Sequence, residues 1–512
     1  MFKKEPELPL AFTKHEKKPR KKLSQYLFPP HKIYPIGINL TDTIIILFLL
    51  FIGILTRIYR IQFPMEIIFN EDRIGQEINY YQSGLFFSDY QNSPFTSIFY
   101  YFISTLMNYE GNVNYTISTK FCNDPQNQDD CIHIQFRTIS AIFSGFCPLL
   151  IYLTVRIMFF LSSSSSSTLF TMRLSAFTAS ILVAFETSLI CQGRFMFIDG
   201  LLHHCVCCSL FFIYLDSFYL MWHTFLGKCL YLSLSFAISP GQSFGLLFAT
   251  IIREFLVFNP PIIFRMNHAL VRSLFVLVFV LVFQYVVFLI HLKILPFENE
   301  NSKIQNFLNV TLTDKNQPNW NLKYEKSTFL RLFIQSSYLL FHRNEIDINL
   351  KYESRPIKWP FGNFLKGILY VDNYNRKLNY KAALHHYYAC IPNIFIYLIV
   401  FIFILFGILL IFKFRMKCQK NFKIIIDFLF LFIGYLASFA PFLFVKHTFL
   451  YNYLVSLIFG ILLVSNVIEK LINPKFRAFI YFSIIFSIMV GYFMFAPYVY
   501  GLGKPYCNYF FQ

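Results

Sequence analysis

Charge is what this sequence has least of. Asp, Glu, Lys and Arg make up 14% of the 512 residues, against 56% hydrophobic and 20% aromatic. Soluble domains carry about a quarter of their residues charged, so the water-soluble globular classes are excluded. The apolar sequence falls into repeated runs of about 20 residues, the length that crosses the hydrocarbon core of a bilayer. The chain reads as an all-α polytopic membrane protein. A cleavable signal peptide is also missing. Lys3, Lys4, Lys14, Lys17, Lys18, Arg20, Lys21 and Lys22 precede the first apolar run, which then acts as a signal anchor with the N-terminus in the cytosol. No basic groove-reading module is present. The formal net charge of +18 clusters at the ends of apolar runs, where membrane orientation accounts for it, so nucleic acid is not an expected partner. Internal repeats of the kind transporters carry are absent.

Eleven spans are expected, at 42–62, 136–160, 169–190, 200–221, 224–238, 243–264, 273–293, 388–412, 424–445, 449–470 and 477–498. With the N-terminus inside, basic residues follow every even-numbered span: Arg156 and Arg173 around the Ser162–Ser167 run, Arg265 and Arg272, then Lys413 to Lys423, then Lys470, Lys475 and Arg477. That is the positive-inside pattern. The expected organisation is a basic cytosolic tail (1–41), a seven-span membrane domain (42–293) with a lumenal loop (63–135), a second lumenal loop (294–387) and a four-span domain (388–512). Both loops hold glycosylation sequons, at Asn114 and Asn309. Cys122 and Cys131 flank a polar stretch of the first loop, where a lumenal disulfide is plausible chemistry. Residues 95–107 are apolar but too short to span, and are expected to lie along the membrane surface.

Polar residues inside apolar runs are the candidates for function. Arg253 and Glu254 are expected to pair or to face a polar cavity. In LLHHCVCCS, His204 and Cys208, or His203 and Cys207, share a helix face. Two ligands do not make a zinc site, so no metal is expected. Just past the first span, IIFNEDRIGQE places Glu71, Asp72, Arg73 and Glu77 at the lumenal boundary.

Several stretches, taken together and in order, resemble the protein O-mannosyltransferases. They are TRIYRIQFPMEIIFNED (Thr56–Asp72), GLFFSDYQNSP (Gly84–Pro94), NYEGN (Asn108–Asn112), FRTISAIFSGFCPLLIYLTVR (Phe136–Arg156), ETSLICQGRFMFIDGLL (Glu186–Leu202), YESRPIKWP (Tyr352–Pro360) and FAPYVYGLGKP (Phe495–Pro505). The most specific is Ser-Arg-Pro-x-x-Trp-Pro. The resemblance implies a GT-C type glycosyltransferase of the endoplasmic reticulum membrane. It implies transfer of mannose from dolichyl phosphate mannose to Ser/Thr of proteins, with inversion and no certain cofactor, in a homo- or heterodimer with a related transferase. The second lumenal loop is too short for the family's MIR domain. Such transfer needs a cation on the leaving phosphate and a base on the hydroxyl. The resemblance puts Arg57 and Arg137, with Arg194 and Arg355, on the phosphate. It puts Glu71 or Asp72 near the base. Asp89, Gln91, Asp199, Ser354 and Trp359 are carried over as acceptor-site or structural residues. The sequence departs from the family at three further points. Asn70 stands where the family's base is expected, Tyr451-Asn452 where it has a His-His pair, and Ile251 nearest to an expected lysine. The alternative function is a catalytically degenerate partner subunit of an active relative.

Overall fold

The computed structural model describes residues 39–63, 71–85, 87, 93–111, 113, 115, 132–161, 169–257, 262–295, 354–361, 372–373, 387–388, 390–414, 422–445 and 448–502. Helix α1 (Leu40–Ile58) opens at Asn39, whose backbone N–H donates to Asp42 Oδ2 at 3.3 Å. Two shorter helices follow, α2 (Glu71–Ser83) and α3 (Phe95–Leu106). Then α4 (Ile132–Gly145) runs on through a one-residue break into α5 (Cys147–Leu161). Gly53 of α1 faces Gly145 of α4 so closely that a Cβ on Gly53 would lie 2.3 Å from the Gly145 carbonyl oxygen. Small residues permit that crossing.

Helices α6 (Leu169–Ala184) and α7 (Thr187–Arg194) form one apolar unit bent by 55°. The bend is at Phe185-Glu186. The Glu186 side chain caps α7 by accepting from the Leu189 N–H. A second turn, 195–197, leads into α8 (Ile198–Tyr219). Next come α9 (Trp222–Ile238), α10 (Pro240–Val257) and α11 (Ile262–Ile294). The C-terminal part holds α12 (Ile394–Phe414), α13 (Phe422–Phe439), α14 (Leu454–Leu471) and α15 (Pro474–Val499). Helix α14 is enclosed on all sides, packed against α12, α13 and α6. A 3₁₀ turn at Pro356–Phe361 and a two-residue antiparallel strand pair, Asp372–Asn373 with Tyr387–Tyr388, complete the described elements.

Helical residues lie within each of the eleven expected stretches, but 136–160 and 169–190 each divide between two helices, and eleven separate spans are not reached among the described residues. Seven stretches of the described residues are long and apolar enough to cross a membrane, α4 and α5 counting as one, or eight with the bent α6–α7 pair. The remainder are shorter or carry buried charge. Helix α10 is of the second kind, and Arg253 and Glu254 do not pair with each other. Glu254 accepts from Lys228 Nζ at 2.5 Å and Arg272 Nε at 2.7 Å, and both cations also meet Asp216. Arg253 lies over the rings of Tyr214 and Phe430, 3.7 Å from Asp427. Residues 95–106 do form a short apolar helix.

Candidate active site

Two of the arginines expected on the phosphate, Arg57 and Arg194, reach backbone carbonyls near helix ends, Arg194 with its Nε left without a hydrogen-bond partner among the described residues. The bend after α6 leaves the last carbonyls of that helix without intrahelical donors. Arg57, fully buried, supplies them: Nη2 donates to Val183 O at 3.1 Å and Nη1 to Ala184 O at 3.2 Å. Its Nε donates to Ser144 Oγ at 3.2 Å and Nη1 also reaches Thr56 Oγ1 at 2.9 Å. Arg194 does the same for α1, donating to Tyr59 O at 2.6 Å and Arg60 O at 2.8 Å. Positive charge is favoured at a helix C-terminus, so both arginines complete the backbone. Arg194 does not pair with Asp199.

The acidic stretch divides in two at the start of α2. Glu71 is fully buried and holds Arg137 of α4 in a bidentate pair, Nε to Oε1 at 2.8 Å and Nη2 to Oε2 at 2.6 Å. Oε1 also accepts from the Met196 N–H at 3.0 Å, tying the 195–197 turn to α2. Burial pushes the Glu71 carboxyl up. The Arg137 charge and hydrogen bonds, the nearby His133 and the Met196 amide outweigh it and hold the group below the ordinary glutamate value. Glu71 therefore ties α2 to α4 and to the 195–197 turn. Asp72, one residue on, faces outward and is exposed. Although its surface is open, the surrounding protein desolvates the carboxyl, and this, with the Glu71 charge, outweighs the Arg73 amide and charge and raises it above the ordinary aspartate value. Arg73 N–H donates to its Oδ1 at 2.7 Å. Arg73 itself pairs with Glu77 at 3.1 Å, and Ser97 of α3 donates to Glu77. At the far end of α2, Tyr81 Oη meets His291 Nδ1 of α11 at 2.6 Å. The helix that carries Asp72 is thus fastened at both ends.

The Ser-Arg-Pro segment presents a buried serine and an exposed arginine. Ser354 N–H donates to Thr448 O at 2.9 Å, and Thr448 Oγ1 donates back to Ser354 O at 2.8 Å. Trp359 Nε1 donates to Ser354 Oγ at 2.9 Å, and its fully buried ring packs on Phe439, Phe442 and Tyr453. Ser354 and Trp359 bolt this turn to the one that opens α14. Of the four expected arginines, Arg355 alone is exposed.

Asp199, in the first turn of α8, meets Gln242 of α10 and Asn452 of the 450–453 turn. Gln242 Nε2 is 3.4 Å from Asp199 Oδ1 and 3.5 Å from Asn452 Oδ1. Sequence reasoning missed Gln242, because a single amide in an apolar run has no spacing signal. In the histidine–cysteine stretch, His204 Nε2 is 3.5 Å from Cys208 Sγ, and Nδ1 is 3.1 Å from Phe143 O. Among the described residues no group of three or more His, Cys, Asp or Glu could hold a metal. Asn70, Asp89, Gln91, Asn114, Asn309, Cys122 and Cys131 lie outside the described residues.

The structure is a helical membrane protein with a buried Glu71–Arg137 pair beside an exposed Asp72 at the start of α2, and a separate buried cluster of Asp199, Gln242 and Asn452. The family model of dolichyl-phosphate-mannose-protein mannosyltransferase matches residues 47–296. The model of the C-terminal four-helix membrane region of protein O-mannosyltransferase matches residues 329–509. The chain belongs to the protein O-mannosyltransferase family. It is 27% identical over 169 residues to protein O-mannosyl-transferase 1 of Danio rerio, which is 33% of this chain and 21% of that one. It is 25% identical over 174 residues to dolichyl-phosphate-mannose–protein mannosyltransferase 5 of Saccharomyces cerevisiae, 34% of this chain and 21% of that one. These matches therefore span about a fifth of each relative's length. The solved structure of the S. cerevisiae Pmt1-Pmt2 complex bound to the sugar donor superposes with a TM-score of 0.73 at 14% identity. The match covers 91% of each chain, and the fold is shared.

Proposed function

We propose that this chain transfers mannose from dolichyl phosphate mannose to Ser/Thr hydroxyls of proteins at the lumenal face of the endoplasmic reticulum membrane, with its N-terminus in the cytosol. The observation that carries this reading is Asp72. It is an exposed carboxylate of raised proton affinity, on a helix fixed by the buried Glu71–Arg137 pair, in a chain of this family. The acceptor hydroxyl oxygen attacks the anomeric carbon and its proton passes to the Asp72 carboxylate. The bond from that carbon to the phosphate oxygen breaks, and the electron pair leaves with dolichyl phosphate. Arg355, the one exposed arginine of the four, is assigned to the leaving phosphate. The test is transfer to a Ser/Thr-rich peptide by the purified chain, alone and with a related transferase. Asp72→Asn is expected to abolish it, and Asn70→Asp to leave the rate within a few fold. Full activity in Asp72→Asn rejects the assignment of the base.

A second reading is favoured by Asn70, which replaces the residue expected as base, and by the neighbouring structure being a complex of two related chains. In it the chain is the silent half of a heterodimer. Activity seen only with the partner, and unaffected by Asp72→Asn, selects that reading.

A further inference from the structure

The Asp199 cluster has more hydrogen-bonding capacity than the protein uses. Asp199, Gln242 and Asn452 come from three different elements, and each is only 3% exposed. One amide nitrogen, Gln242 Nε2, is divided between Asp199 Oδ1 and Asn452 Oδ1 at the long limit of a hydrogen bond. Gln242 Oε1 and Asn452 Nδ2 have no partner among the described residues. Apart from its own backbone amide the Asp199 carboxylate meets only that long neutral contact among the described residues, and a carboxylate buried without a cation is costly, as is each buried polar atom left without a partner. Neighbouring elements hold the three in place. Gly200 packs against Ser140, one turn from Arg137, where a Cβ would have no room. Met196, three residues before Asp199, is bonded to Glu71. Tyr453, next to Asn452, packs on Trp359 and exchanges a 2.7 Å hydrogen bond with Tyr435 Oη.

We propose that Asp199, Gln242 and Asn452 form the subsite that reads the hydroxyls of the donor's hexose. The inference rests on the transferase reading above. The chemistry selects that part of the donor. Two acceptors, the Asp199 carboxylate and Gln242 Oε1, and one donor, Asn452 Nδ2, match neighbouring hydroxyls that both donate and accept. The carboxylate repels a phosphate, so the charged half of the lipid is turned away and the neutral ring is taken. A site built on buried polar groups rejects a ligand lacking the matching hydroxyls, because its own groups are then left without partners.

The test measures binding of dolichyl phosphate mannose and of dolichyl phosphate to the full chain in lipid nanodiscs, for wild type, Asp199→Asn and Gln242→Leu. Wild type is expected to prefer the mannosyl lipid. Each variant is expected to lose about tenfold or more of that preference while binding dolichyl phosphate as before, which also shows that it has folded. Wild-type preference retained by both variants overturns the subsite and leaves the transferase reading standing. So does equal loss of both lipids in both variants. A wild type that binds both lipids equally overturns the subsite alone; a wild type that binds neither overturns the transferase reading with it.

Discussion

Glu71→Gln is the most incisive perturbation of this fold. Both partners of the Glu71–Arg137 pair are fully buried and share two short, parallel hydrogen bonds. Replacing the carboxylate by an amide keeps the shape but leaves the Arg137 guanidinium as an uncompensated buried charge. Breaking one side of such a pair costs about 3–5 kcal/mol, a large fraction of the stability of a typical domain. The Met196 amide keeps an oxygen to donate to, so little of the loss is assigned to that bond. The assay is denaturation of the purified chain in mild detergent, by heat or by added SDS. Arg137→Met should be similarly damaging. The double variant Glu71→Gln/Arg137→Met should recover much of the loss, because no charge is then left buried. The pH dependence has a definite sign. Glu71 titrates below its unfolded value, so its contribution is fully present above the ordinary glutamate pKa of about 4.3. It is lost as pH falls through the depressed folded value. The gap between wild type and Glu71→Gln should therefore be constant from neutrality down to about pH 5 and close below that. A Glu71→Gln chain as stable as wild type at neutral pH would refute the buried pair.

Four further outcomes follow from the same geometry. Asp72→Asn should leave the melting temperature unchanged, because the side chain is exposed. The wild-type rate should fall on acidification with a midpoint above the ordinary aspartate value of about 3.9, since the Asp72 carboxyl is raised. A midpoint at or below that value contradicts its role as base. Arg57→Met should destabilise the bundle by about 2 kcal/mol or more, through the Val183 and Ala184 carbonyls left without donors, as read by thermal unfolding. Gly53→Ala should cost about 1–3 kcal/mol in the same assay, since its Cβ would strike the Gly145 carbonyl oxygen.

The helices were legible because runs of apolar residues report membrane-embedded segments directly. The roles of polar residues at their ends were not, because those depend on where backbone groups go unsatisfied. Arg57 and Arg194 were recognised as special, but nothing in their spacing shows that α6 breaks at Phe185-Glu186 and exposes carbonyls for Arg57 to meet. Glu71 and Asp72 were both in view as bases. They are neighbours at a helix start, so their side chains leave in directions about 100° apart. Only packing against Arg137 decides which is buried and which is exposed. Gln242 became visible only once α8, α10 and the 450–453 turn were brought together.

Charge is handled differently at the two ends of the bundle. Where α1 begins and α8 finishes, acids are closed against bases. Asp42 meets Arg156 and Arg173, Asp216 and Glu254 meet Lys228 and Arg272, and Glu469 meets Arg477. These knots neutralise charge within the protein and have nothing left to offer a ligand. At the opposite end Glu71 and Glu77 are also closed against Arg137 and Arg73, but Arg57 and Arg194 reach backbone carbonyls, and three acids are met by N–H groups. Asp72 is met by the Arg73 amide, Glu186 by Leu189 and Asn393 amides, and Asp199 by the Gln242 side chain. An acid satisfied by a cation is a poor proton acceptor, because the pair lowers its proton affinity. An acid held by neutral donors keeps that affinity. With Arg57 and Arg194 turned to backbone carbonyls, neither is paired with Asp72 or Asp199, which the roles proposed for these two acids, proton acceptor and hexose contact, require.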